Sequence, residues 1–392
     1  MKYITKRIKV SFLLVFSAML ILSSCNKAPE QIYGPAYVAP TGNTLGVTLA
    51  AIANDSLYYK LIVRGGVLAT INSLPNTYTM FVPDNPAMRN FCNLISGGAT
   101  VGFTDAQYSA FINSAISATN AASIVSYNIC PQAITTASIP NTFPNFQYPS
   151  ILNPAPALSA LLRLTTFPST RNGNWVNNVP ISAVNTIAAN GVIHTTSGVV
   201  VPPSRYLWDR VNTDADLTIL KAAITRADSG VSVSAPTSLI GALQNIGANL
   251  TLFAPSNQAF KNVISALTLG AIPNNAPDAT YIGFLASNNI STQTVKGIVV
   301  YHILGTRAFS NNLPTTATSY PTLLNGAVPT HPGVSLKCTF TGLVVTSATV
   351  KGVVNATASN IAINSFPDPF GTSDQHFLNG TLHKIDQVML PQ

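Results

Sequence analysis

Leu250-Thr251-Leu252-Phe253-Ala254-Pro255-Ser256-Asn257-Gln258-Ala259-Phe260 is the stretch on which the fold turns. Five apolar or β-compatible residues make a short strand. Pro255 ends it, because proline has no N–H to give to a ladder. Ser256 then stands where a helix needs an oxygen for its free N–H groups, and Asn257 to Phe260 start the helix. The same corner occurs earlier in the chain, as Tyr78-Thr79-Met80-Phe81-Val82-Pro83-Asp84-Asn85-Pro86-Ala87-Met88, with Asp84 as the capping candidate. Pro86 falls in the first turn of the expected helix, where proline is tolerated.

Working outward from the two corners, further elements repeat in the same order. Ser123-Ile124-Val125-Ser126-Tyr127-Asn128-Ile129-Cys130 is matched by Lys296-Gly297-Ile298-Val299-Val300-Tyr301-His302-Ile303-Leu304. Each copy closes on an Asn-Gly pair and alternating apolar residues: Asn190-Gly191-Val192-Ile193-His194, and Asn379-Gly380-Thr381-Leu382-His383-Lys384-Ile385-Asp386. Asn-Gly is a tight-turn signal, and the alternation reads as the returning strand of a hairpin. Three matched elements in one order indicate a duplication.

The strand-Phe-x-Pro-x-Asn-x-Ala-Phe corner, the Tyr-His box and the Asn-Gly-x-Ile-His-x-Ile-Asp close together resemble the fasciclin domain. The resemblance covers both copies, placed at residues 43–203 and 204–392. It implies an α+β fold: two fasciclin-like domains, each a wedge-shaped mixed β-sandwich with packed helices. Helices are expected over residues 44–53 and 55–68 in the first copy, and over 206–211, 214–227 and 238–246 in the second. Copy one departs from the pattern at Asn128, where the Tyr-His box wants His, and looks eroded there. Copy two keeps His302, His383 and Asp386 but carries an insertion, Ser365 to Phe377, before its hairpin.

The first 24 residues read as an address. Lys2, Lys6, Arg7 and Lys9 precede a 13-residue apolar run, Val10 to Leu22, too short to span a bilayer but suited to a signal peptide. Leu22-Ser23-Ser24-Cys25 looks like a lipobox. Cys25 is then the first mature residue and the lipidation site, and several acyl chains hold such a protein on a membrane. Residues 25–42, with Pro29, Pro35 and Pro40, read as a tether. The expected location is the cell envelope, lipid-anchored, at the outer membrane's periplasmic face or the cell surface.

Charge supports export rather than nucleic-acid binding. The formal +8 falls to +4 once residues 1–24 are removed, because they hold four basic residues and no acidic one. The rest are scattered, with no basic stripe, so no nucleic-acid partner is expected. With Cys25 lipidated, Cys92, Cys130 and Cys338 read as small buried hydrophobes. A Cys92–Cys130 bridge is the alternative for the first pair.

No Gly-x-Ser-x-Gly elbow, HExxH or Ser-x-x-Lys appears in a supporting context, so the chain reads as a binding protein with no catalytic residue, cofactor or metal. In the resembled family the Tyr-His box is associated with adhesion to proteins, which marks Tyr301 and His302; the blander reading of His302 is a buried ring holding local backbone. Asp374 and His376 are near His383 and Asp386 in sequence, and a flexible loop with incidental polar groups is preferred there to a metal site. Phe366 and Phe370 belong to a loop able to stack on sugar rings. The function so read is membrane-anchored adhesion to protein or extracellular polymer. The alternative is glycan capture as an accessory of an outer-membrane polysaccharide uptake system.

Overall fold

A computed structural model describes residues 40–368 and 370–392. The expected signal peptide, Cys25 and all but the last three residues of the tether lie outside them. Residues 41–392 form one compact body. Among the described residues no helix is long and apolar enough to cross a membrane.

The first domain opens with helices α1 (Leu45–Ala50), α2 (Ser56–Arg64) and α3 (Leu68–Ile71). Strand β1 (Tyr78–Pro83) then turns into α4 (Asn85–Ile95) at the corner read from sequence. Asp84 caps α4 by accepting from the Ala87 N–H at 2.8 Å. Helices α5 (Asp105–Ala115) and α6 (Ala118–Tyr127) lead to β2 (Ile129–Cys130). Short strands β3 (Tyr148–Pro149), β4 (Thr165–Thr166), β5 (Pro168–Ser169) and β6 (Trp175–Val176) precede the hairpin of β7 (Val179–Ala188) and β8 (Gly191–Thr196).

The second domain repeats this plan with α7 (Leu207–Thr213), α8 (Thr218–Ala227), α9 (Leu239–Ala242) and β9 (Leu250–Pro255), then α10 (Asn257–Leu267), α11 (Asp278–Ala286), α12 (Thr292–Tyr301) and β10 (Ile303–Leu304). A second sheet, β11 (Thr318–Tyr320), β12 (Val334–Thr341), β13 (Val344–Lys351) and β14 (Ser359–Asn360), comes before β15 (Gln375–Phe377) and β16 (Gly380–Ile385). Ser256 caps α10 through the Ala259 N–H at 3.2 Å. Each expected helix is present, but most are shorter: the one over 55–68 stops at Arg64, the one over 238–246 stops at Ala242, and 3₁₀ turns at Ala53–Asp55 and Ala215–Leu217 take up residues at other ends.

The order β2-β1-β8-β7 in one domain corresponds to β10-β9-β16-β15 in the other. The closing strand runs parallel to the first strand, Tyr78 opposite Gly191 and Leu250 opposite Gly380. Both Asn-Gly pairs make the expected antiparallel hairpins. The central strands are buried on both faces, and the strand's period of two divides their side chains. Leu250, Leu252 and Ala254 enter the helical core, while Phe253 enters the layer toward the second sheet. Tyr78, Met80 and Val82 likewise enter the first domain's helical core, and Phe81 the opposite layer. The result is α+β in both domains, with, among the described residues, a full second sheet only in the second. Cys92, Cys130 and Cys338 are buried free thiols.

Candidate binding site

The histidines of the closing strands do structural work, and the same work in each domain. His194 Nε2 donates to the Ile134 carbonyl at 2.8 Å, and its Nδ1 accepts from the Asn185 N–H. His383 Nε2 donates to the Ala308 carbonyl at 3.0 Å, and its Nδ1 accepts from the Asp374 N–H at 3.2 Å. Asn185 and Asp374 both have left-handed backbone, φ 60° and 52°, a conformation Asn and Asp accept more readily than most residues. Each imidazole stacks on the phenylalanine of its corner, Phe81 or Phe253, at 5.8 Å between centroids.

Tyr301 and His302, expected to meet a partner, are 0% and 2% exposed. The surface role gives way to an internal one. Tyr301 donates to the Gly333 carbonyl at 2.7 Å and accepts from the Val353 N–H. His302 Nδ1 donates to the Ile298 carbonyl at 2.8 Å, which leaves Nε2 to accept the Met389 N–H at 2.9 Å. Burial pushes the His302 pKa from 6.5 down to about 4. Asn128, where copy one looked eroded, fills the same position: its Nδ2 donates to the Ile124 and Val200 carbonyls, both at 2.8 Å. The tie to the C-terminal segment is kept and its donor and acceptor are exchanged.

Asp374 is buried and His376 half-buried, and the insertion ends in strand rather than loop. Its last residues, Gln375 to Phe377, are β15 itself, the outgoing strand of the hairpin. The Asp374 carboxylate accepts from the Ser310 N–H at 2.6 Å and the Ser310 hydroxyl at 2.7 Å. That fixes the turn carrying Asn311 and Asn312, which reaches across to the first domain. Asn311 Nδ2 donates to the Asn177 carbonyl at 3.1 Å. Asn312 accepts from the Ser169 hydroxyl at 2.9 Å and donates to Thr142 and Asn145.

His376 lies at this seam among Tyr127 and Phe167 of the first domain and Phe309 of the second. Arg307, 3% exposed, hydrogen-bonds His376 Nε2 and covers the Phe167 ring at 4.9 Å. Its other donors reach Asn249 at 3.1 Å and the Leu378 carbonyl at 3.3 Å, and burial lowers its pKa to about 10. Burial and then the Arg307 charge push His376 well below the usual imidazole range. Among the described residues no group of three or more His, Cys, Asp or Glu gathers to hold a metal.

Phe366 and Phe370 remain at the surface, 57% and 79% exposed. Their loop is clamped. Asp368 takes Arg205 at 2.7 Å and Arg210 at 3.0 Å, and Arg210 in turn takes Asp214 at 2.9 Å. Gln375 Nε2 donates to the Phe366 carbonyl at 2.6 Å, and Gly371 is close enough that a β-carbon there would collide with both. Beside the loop is a cleft of about 600 Å³, lined by residues 177–179, 199–205, 365–368 and 374–377. Both domains and the segment between them contribute. Local pattern marked only Phe366, Asp374 and His376 of this cleft, because its two sides, residues 177–205 and 365–377, lie far apart in sequence.

A family model for the fasciclin domain matches residues 54–202 and 226–391. Human periostin is 26% identical over 217 residues, which cover 55% of this chain and 19% of periostin. The chain thus spans about a fifth of the length of that curated relative. A solved FAS1 domain pair from the insect cell adhesion molecule fasciclin I aligns over 85% of this chain and 95% of its own, at 14% identity and a TM-score of 0.34.

Proposed function

From the premise that this chain belongs to the fasciclin family, we propose that it is an adhesion or binding module of the cell exterior, recognising protein or extracellular polymer at its domain seam. One observation carries this reading: two large aromatics stand exposed on a loop whose backbone is held by a buried ion pair and an internal amide. Exposed aromatics on an ordered support give contact area at little cost in conformational entropy. No catalytic step is proposed.

The anchor belongs to the same reading. Cys25 carries the lipid, residues 25–42 hold the domains off the membrane, and the mature protein resides in the outer membrane. Metabolic labelling with an alkyne fatty acid tests this: label on the parent and none on Cys25→Ser is expected, and an unlabelled parent refutes it. Binding is tested by surface plasmon resonance of the purified protein over matrix proteins and polysaccharides. Saturable binding that Phe366→Ala and Phe370→Ala each weaken is expected. Absence of saturable binding to every surface overturns the proposal.

A second reading, a glycan-capture accessory of a polysaccharide uptake system, is favoured by the mixed polar and aromatic lining of the seam cleft.

A further inference from the structure

We propose that the cleft at the domain seam takes a neutral, polyhydroxylated chain, a short run of a glycan, with Phe366 as the stacking wall. The inference rests on the binding face proposed above and names the ligand class.

The cleft's charged side chains already hold partners. Arg205 pairs with Asp368 at 2.7 Å, and Asp368 also takes Arg210. The Asp374 carboxylate is filled by the Ser310 N–H and hydroxyl and by the Ser365 hydroxyl at 3.0 Å. An ionic ligand would have to break these pairs to gain a partner, so little recognition of net charge is left.

What is left is uncharged and polar. The Asn178 side chain is half-exposed at the cleft wall and has no hydrogen-bond partner among the described residues. The Ser204 hydroxyl is exposed on the same terms. The carbonyls of Val201, Pro202 and Pro203 likewise accept no hydrogen bond among the described residues, and the two prolines have no N–H to offer. An amide and a hydroxyl both donate and accept, whereas bare carbonyls only accept. Sugar hydroxyls do both and match such a mixed wall; a peptide in an extended pose would need the alternating donors and acceptors of a strand edge, which this proline segment lacks.

Phe366 supplies the other half. Sugar rings present a C–H face of low polarity to an aromatic ring, and Phe366 lines the cleft while more than half exposed. The volume falls within the range used by small-molecule sites.

The test uses the purified mature protein on an array of neutral glycans, acidic glycans and gelatin. The variants are Phe366→Ala, Asn178→Ala and, as a control away from the cleft, Phe146→Ala; the circular dichroism melt of each confirms folding. Saturable binding to at least one neutral glycan is expected, weakened roughly tenfold by Phe366→Ala, less by Asn178→Ala, and unchanged by Phe146→Ala. Binding to gelatin alone, lost in Phe366→Ala, overturns the glycan assignment and keeps the adhesion reading. Binding to acidic glycans only, or neutral-glycan binding that neither cleft variant changes, also overturns it. Silence on the whole array sinks this inference together with the adhesion reading.

Discussion

Replacing His302 with Asn, the residue its counterpart position carries in the first domain, should make the second domain's stability less sensitive to mild acid. The folded state needs His302 neutral, because Nε2 accepts the Met389 N–H and a protonated ring has no acceptor. Its pKa is about 4 when folded and 6.5 ordinarily. Between those values the unfolded chain binds the extra proton, so stability rises with pH there and is complete above the unfolded pKa. Lowering the pH from 8 to 5 then removes about 2 kcal/mol, and the full loss, below the folded pKa, is about 3 kcal/mol. His302→Asn keeps the helix-end bond to Ile298 and loses the match to Met389, at about 1–2 kcal/mol at any pH. The assay is urea unfolding at pH 8 and pH 5, followed by Trp208 in a Trp175→Phe background. Trp208 lies on α7 of the second domain and Trp175 on β6 of the first, so each reports its own half. Other histidines titrate in both proteins, so the difference between the two losses is what counts. If the variant loses as much stability as the parent on acidification, the assigned role of Nε2 is wrong.

Three further outcomes follow. Asp55 is buried beside Asp84, and burial first, then the Asp84 charge, raises its carboxyl pKa from 3.8 to about 6. A raised acid contributes its stability below 3.8 and loses it as pH climbs through the folded value, so Asp55→Asn should stabilise the first domain by up to about 3 kcal/mol at pH 8 and change little near pH 3.5, read by Trp175 fluorescence in urea. Asn128→Ala strips the donor from Val200 and Ile124, and should cost that domain about 2–3 kcal/mol in the same assay; a loss under about 0.5 kcal/mol would remove Asn128 from its place as the counterpart of His302. Asn312→Ala removes contacts to Ser169, Thr142 and Asn145 at once, and should split a single calorimetric unfolding endotherm into two; an unchanged single endotherm would show that the seam does not depend on it.

Much of the fold was legible because its signals are local. Pro83 and Pro255 end strands by lacking an N–H, Asp84 and Ser256 cap by position, and Asn-Gly sets two hairpins. The site was less so. Tyr301 and His302 were marked by a family association, yet an apolar run ending a helix buries them, and Asn128 shows that two different side chains meet one geometric need. Phe366 and Phe370 were found because bulky aromatics among Pro, Asp and Gly have no core periodicity to join. Arg307, His376 and the Asn311–Asn312 turn meet only after two domains have formed, and no window of sequence holds both sides of that contact.

The parallel pairing of first and last strands bears on how the chain is made. Tyr78 waits for Gly191, and Leu250 for Gly380, so each central strand stays unsealed on one edge through most of its domain's synthesis. The two first strands resemble each other, and either offers a berth for either closing strand. In a chain that emerges from its N-terminus onward, β8 arrives before β9, so the earlier berth is taken by its own mate. A chain diluted from denaturant has no such queue: both berths are open together, and crossed pairing becomes a trap that vectorial synthesis avoids.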